Sequence, residues 1–136
     1  MEAVVVLQSR TSGFYGSDGL WAVYEHPEVH EWLLSLKGTD AATRVQAAID
    51  LLSEHGPGLG RPVADVVRTS RHTNMKELRT GSTRILFAFG PRRQAVLLVA
   101  GDKRDKWQRW YRTAIPLTDD RFDEWLVNLS ADRSER

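Results

Sequence analysis

The sequence predicts an α+β fold, with helices packed on a small, twisted, mainly antiparallel sheet. Three observations carry that expectation: two consecutive apolar stripes at helical spacing, three strand-like segments joined by hairpin-length connections, and a last helical stripe near the C-terminus. A chain of 136 residues with 41% hydrophobic and 27% charged residues suits one domain with a single respectable core. Residues 1–20 read as a loose Gly/Ser-rich extension, in which Val4–Leu7 offers one added edge strand. Residues 21–129 form the domain, and residues 130–136 form a tail.

Trp21–Glu25 is rich in β-formers and gives the first strand. Pro27 suits the first turn of a helix, and Val29, Trp32, Leu33 and Leu36 make one apolar stripe ended by Gly38. Asp40 is placed to cap a second helix with the stripe Val45, Ala48, Ile49 and Leu52. The run from His55 to Pro62 then breaks the chain. Asn74–Arg79, Thr83–Phe89 and Ala95–Lys103 form a three-strand antiparallel meander. Val96–Val99 is apolar on both faces, as expected of a central, doubly covered strand. Asp105–Arg112 reads as one or two helical turns. After Pro116, Thr118 is positioned to cap a final helix with the stripe Phe122, Trp125, Leu126 and Leu129. The expected arrangement has the helices on one face of the sheet, with the other face partly open.

The composition excludes several classes. No apolar run reaches the ~18 residues of a membrane span, and the start of the chain lacks a secretory pattern. Cysteine is absent, which removes disulfides, thiolate zinc sites and thiol catalysis and fits a cytoplasmic protein. His26 and His30 have helical metal-pair spacing, but no third ligand accompanies them, so neither a metal nor a cofactor is expected. The net charge of +1 hides three blocks. Residues 1–65 carry 4 Lys/Arg against 9 Asp/Glu, residues 66–112 carry 12 against 3, and residues 113–136 carry 3 against 6. A middle segment this basic attracts polyanions if its charges share a face; scattered, they only solubilise the fold.

Alternation along the second meander segment puts Glu77 and Arg79 on one face and Lys76 and Leu78 on the other. Arg84 lies just across the Thr80–Ser82 turn, and Lys103 and Arg104 end the third strand. One groove can thus collect several cations around a single carboxylate. Lys76 replaces Glu77 if the register slips by one. His72, just before the strand, is a candidate acid or an ordinary loop histidine. Glu77 and Arg79 also fit a plain exposed same-face pair, worth about 0.2–1 kcal/mol. Trp107 and Trp110 fit simple packing of a helix on the sheet, and Arg92–Arg93 fits a solvated hairpin tip or a ribosomal RNA contact.

The order strand, helix hairpin, meander and C-terminal helix resembles the RelE/ParE toxin superfamily. It does so with Lys76-Glu77-Leu78-Arg79, Arg84–Phe89, and Ala95–Lys103 followed by Trp107, Trp110 and Tyr111. The resemblance is greatest to the HigB-like, phage-derived branch of type II toxin–antitoxin toxins. It implies a RelE-like fold and a ribosome-dependent, metal-independent mRNA endoribonuclease that inhibits translation. It also implies a cognate antitoxin, of helix-turn-helix type, as partner. By the same resemblance Arg84 stabilises the scissile phosphate, Lys103 or Arg104 is the second cation, and Tyr111 or Trp110 stacks on a base. Arg79 then positions phosphate, Glu77 is the general base where RelE has a lysine, and Lys76, Arg104, Lys106, Trp107, Trp110, Tyr111 and His72 contact RNA. The superfamily leaves two alternatives: a ParE-like inhibitor of DNA gyrase, or an inactive relative acting only through antitoxin binding.

Overall fold

The computed structural model describes residues 8–9, 20–102, 104 and 107–134. In chain order the elements are β1 (Gln8–Ser9), β2 (Ala22–Glu25), α1 (Pro27–Ser35), α2 (Asp40–His55), a 3-10 turn (Gly56–Gly58), β3 (Ala64–Val66), β4 (Met75–Thr80), β5 (Thr83–Gly90), β6 (Gln94–Asp102) and α3 (Trp107–Ser134). The six strands form one mixed sheet in the order β1-β2-β6-β5-β4-β3. Only β2 and β6 run parallel, which the intervening helix hairpin allows by carrying the chain back across the sheet. This is the α+β, RelE-like arrangement that the sequence predicts, and each meander strand lies within a residue of its expected limits. Val4–Leu7, the expected added strand, lies outside the described residues.

Helix α1 starts on a side-chain cap, with the Glu28 N–H donating to His26 Nδ1 at 3.1 Å. Gly38 follows at φ +84°, a left-handed turn that glycine takes without steric cost. The cap of α2 is Thr39, whose Oγ1 accepts the Ala42 N–H at 3.2 Å. Asp40, the expected cap, instead occupies the first helical turn, where its charge favours the helix dipole.

The helices occupy both faces of the sheet, not one. Val29, Leu33, Val45, Ala48, Ile49 and Leu52 of α1 and α2 bury against Val23, Leu78, Ile85, Phe87 and Leu97. On the opposite face Ala114 and Phe122 of α3 bury against Met75, Leu86, Ala88, Val96 and Leu98. The doubly apolar Val96–Val99 run therefore has a cover on each side. A register shift between Leu86 and Phe87 pairs Leu86 with Val99 and Phe87 with Leu97, so Leu98 bulges. Leu98 and Val99 both join the core beneath α3. Beyond the bulge Gly101 pairs with Arg84, and the Trp110 indole lies so close that a Cβ on Gly101 would sit 2.5 Å from its Nε1.

The last two expected helical segments are one helix. Pro116 lies inside α3, and Thr118 is not a cap: it is fully buried, its Oγ1 donating to the Ala114 carbonyl at 2.6 Å. A proline forfeits one ladder bond, and here the apolar faces on either side of it bind the same sheet. The helix also continues past Leu129 to Ser134.

Candidate active site

Strand β4 carries alternate residues to opposite faces, and its pairing with β5 sets Arg79 directly against Arg84. Residues opposite one another in an antiparallel pair share a face, so Glu77, Arg79 and Arg84 all look toward α3. Lys76 and Leu78 look the other way. The register alternative is thereby settled: Lys76 Nζ donates to the Pro57 carbonyl at 3.0 Å and sits 5.8 Å from the Phe89 ring centroid, on the α2 side.

Glu77 was expected in an open face, yet it is 5% exposed. Its Oε1 accepts the Tyr111 hydroxyl at 2.6 Å, and its Oε2 accepts Arg79 Nε at 3.1 Å. Arg84 Nε stands 3.8 Å from Glu77 Oε1, an ion pair beyond hydrogen-bond range. The Arg84 guanidinium is held by the turn, donating through Nη1 to the carbonyls of Gly81 at 2.6 Å and Thr83 at 2.9 Å. Its Nε is buried with no hydrogen-bond partner among the described residues. An unsatisfied buried donor is unusual in a folded protein, and this one belongs to a side chain on the groove floor.

A groove of about 470 Å³ opens beside this cluster, walled by Val66, Val67, Arg68 and Thr69 on one side and by Tyr111 and Ile115 on the other. Glu77, Arg79 and Arg84 form its floor. Burial, and then the bond to Glu77 and its charge, push the Tyr111 hydroxyl up to about 12, with Arg84 pulling the other way. The phenol is therefore protonated at neutral pH. Arg79 is shared with Asp65, 3.3 Å from its Nη2. The Val66 N–H, followed by the Arg61 hydrogen bond and the charges of Arg61 and Arg79, holds the Asp65 carboxyl below its usual range against some desolvation.

The site thus unites Glu77, Arg79, Arg84 and Tyr111 from the expected set. Trp110 is half-buried, edge-on to Tyr111 at 5.1 Å between ring centroids and packed over Gly101. Arg104 is exposed and paired with Asp102 at 2.9 Å. His72 is not brought to the groove: its Nε2 lies 2.8 Å from Asp123 Oδ1, and its ring meets Phe122 edge-on at 4.9 Å. Lys103 and Lys106 lie outside the described residues, as does the side chain of Trp107. His26 caps α1, and His30 Nδ1 lies 2.7 Å from Glu25 Oε1, so each has a local partner.

Sequence reasoning missed the wall from Val66 to Thr69 and the Asp65 support of Arg79. The Arg61–Asp65 i,i+4 pair was the one local signal for the latter. It also missed what fixes that wall. Asp119, 4% exposed, accepts the Ser70 hydroxyl at 2.5 Å and the Arg71 N–H at 3.2 Å. The Arg71 guanidinium then reaches Asp120 at 3.0 Å and Asp123. These contacts tie the β3–β4 loop to the middle of α3.

Residues 31–123 match the family model described as phage-derived protein Gp49-like. The chain is 51% identical over 109 residues to "Putative toxin HigB3" of Mycobacterium tuberculosis, covering 79% of this chain and 95% of that protein. It is 48% identical over 108 residues to "Putative toxin HigB2" of the same organism, covering 74% of this chain and 54% of that longer protein. Matched over most of its length, and carrying the meander with which the resemblance began, the chain belongs to the phage-derived Gp49-like family, the HigB-like branch of the RelE/ParE superfamily.

Proposed function

We propose that the protein is the toxin of a type II toxin–antitoxin pair and cleaves mRNA on the ribosome without a metal ion. The observation that carries this reading is Glu77, nearly buried yet lining an open groove with Arg79, Arg84 and a protonated Tyr111 around it. Glu77 takes the proton of the ribose 2′-hydroxyl, and the 2′-oxygen attacks the adjacent phosphorus. Arg79 positions the phosphate. Arg84, on the groove floor, meets the charge that develops on the non-bridging oxygens; Lys103 is the second cation by resemblance. The 5′-oxygen leaves with the Tyr111 proton, which Glu77 replaces along their 2.6 Å hydrogen bond. The proton count closes, with a cyclic phosphate and a 5′-hydroxyl as products. The names of the two relatives support the toxin reading, and a small antitoxin protein follows from it as partner.

Controlled expression of wild-type and Arg84→Ala chains, followed by sequencing of RNA ends, tests this. Wild type is expected to arrest growth and leave new ends within translated codons. Arg84→Ala, with its circular dichroism unchanged, is expected to lose about 10²-fold or more of that cleavage, the typical effect of removing a transition-state donor. A folded Arg84→Ala chain that remains fully toxic would overturn the catalytic assignment. Broken DNA with intact mRNA would replace it with the gyrase alternative.

A further inference from the structure

A second recess, of about 400 Å³, opens off the groove between Thr69 of the β3–β4 loop and Gln108, Tyr111, Arg112, Ile115 and Pro116 of α3. The two spaces share Thr69, Tyr111 and Ile115 as a common wall. Gln108, Tyr111, Arg112 and Ile115 fall at i, i+3, i+4 and i+7, so one helix face builds the recess. Its lining is mostly apolar, with an amide and a guanidinium at the rim. Pro116 cannot donate the ladder bond that the Arg112 carbonyl would otherwise accept, which leaves an acceptor on the same stretch of helix.

The charges around the two spaces divide into two kinds. Arg79 and Arg84 are bound to Glu77, and Arg79 also to Asp65. Arg68 on the groove wall and Arg112 on the recess are exposed and have no carboxylate partner among the described residues. An apolar-walled recess with a polar rim, joined to a cationic groove, matches a nucleotide of a single strand: a base to lie in the recess and phosphates to meet the two exposed guanidiniums.

The geometry points to a nucleotide-binding subsite flanking the cleaved linkage, with the base in the Thr69–Ile115 recess and the neighbouring phosphates on Arg68 and Arg112. This rests on reading the groove as an RNA site and adds where the strand is gripped as distinct from where it is cut. Gln108 at the rim is the group placed to discriminate between bases, since its amide offers a donor and an acceptor together.

The test is binding of a short single-stranded RNA, 2′-O-methylated to block cleavage, measured by fluorescence anisotropy across a salt series. Arg68→Gln and Arg112→Gln should each lower the slope of log affinity against log salt by about 0.7, the value for one phosphate contact on a single strand. Arg44→Gln, exposed on α2, should leave the slope unchanged. Replacing successive nucleotides by abasic ones should reveal one position that costs about tenfold in affinity, within the usual range for a stacked base. Thr69→Tyr, an exposed-loop change that fills the recess, should erase that sensitivity. Unaltered slopes in both arginine variants, an abasic effect that survives Thr69→Tyr, or no RNA binding by the wild-type chain would each overturn the subsite. The cellular RNA-end experiment reads the cleavage assignment independently, so failure of one is distinguishable from failure of the other.

Discussion

Among the arginine–carboxylate contacts that join α3 to the rest of the molecule, two networks are built to opposite specifications. At the groove, one acid, Glu77, serves two arginines and a tyrosine, with Asp65 behind Arg79, and a buried Arg84 N–H has no hydrogen-bond partner among the described residues. At the loop anchor, three aspartates serve one arginine, one histidine and a serine, and the loop's Arg71 is half-exposed against the acid-rich α3. The first is short of acceptors and stands beside an empty space. The second has acceptors in excess and closes on itself. A site prepared for an anion has the first character, and a fastening has the second.

That contrast can be broken by substitution, beginning with the largest effect. Glu77→Ala removes the common partner of Arg79, Arg84 and Tyr111. A buried guanidinium without its counter-charge costs about 3–5 kcal/mol, to be read from urea unfolding. A loss below about 1 kcal/mol would mean that the cluster is effectively solvated. Asp119→Ala should cost about 1–3 kcal/mol, the penalty for stranding the Ser70 hydroxyl and Arg71 N–H. Because the Asp119 side chain bonds to Ser70 and Arg71, neither of which lines the groove, the variant should also loosen the wall carrying Arg68 and Thr69. Faster amide exchange at residues 67–71, with β4 and β5 protected as before, is the expected signature.

The smallest effect is a titration. Tyr111 is raised above the ordinary 10.0 to about 12, so the folded state favours the neutral phenol. The stability this provides is complete below pH ~10 and is lost as pH rises toward ~12. Ultraviolet difference titration of wild type against Tyr111→Phe isolates the group. In Glu77→Gln the midpoint should fall only part of the way, because the negative charge that opposes ionisation is gone while burial, the larger cause, stays. An unchanged midpoint would assign the whole shift to burial.

Much of this was legible in the chain because it is local. Alternation put Glu77 beside Arg79, and the short Thr80–Ser82 turn brought Arg84 across from them. No longer-range information was needed. The Tyr111–Glu77 bond spans 34 residues and the Asp119 contacts span 48 and 49, distances at which only packing decides. The division of α3 at Pro116 followed a sound local rule that tertiary structure overrode: Thr118, Asp119 and Asp120 have the composition of a helix start, but here they bind the sheet and the loop from mid-helix. The expectation of an open face also conflicted with the chain's own record, since Val96–Val99 is apolar on both sides and such a strand requires cover on both.

The long reach of the Tyr111–Glu77 contact sets an order of events during synthesis. The β4–β5 hairpin brings Glu77, Arg79 and Arg84 together within a few residues of chain, so these charges can meet as soon as the hairpin has left the exit tunnel. Their tyrosine partner is made dozens of residues later, after β6. At the usual pace of translation the Tyr111 hydroxyl therefore emerges seconds after the hairpin charges that it caps. The wall that α3 adds to the groove thus arrives last, by chain order alone.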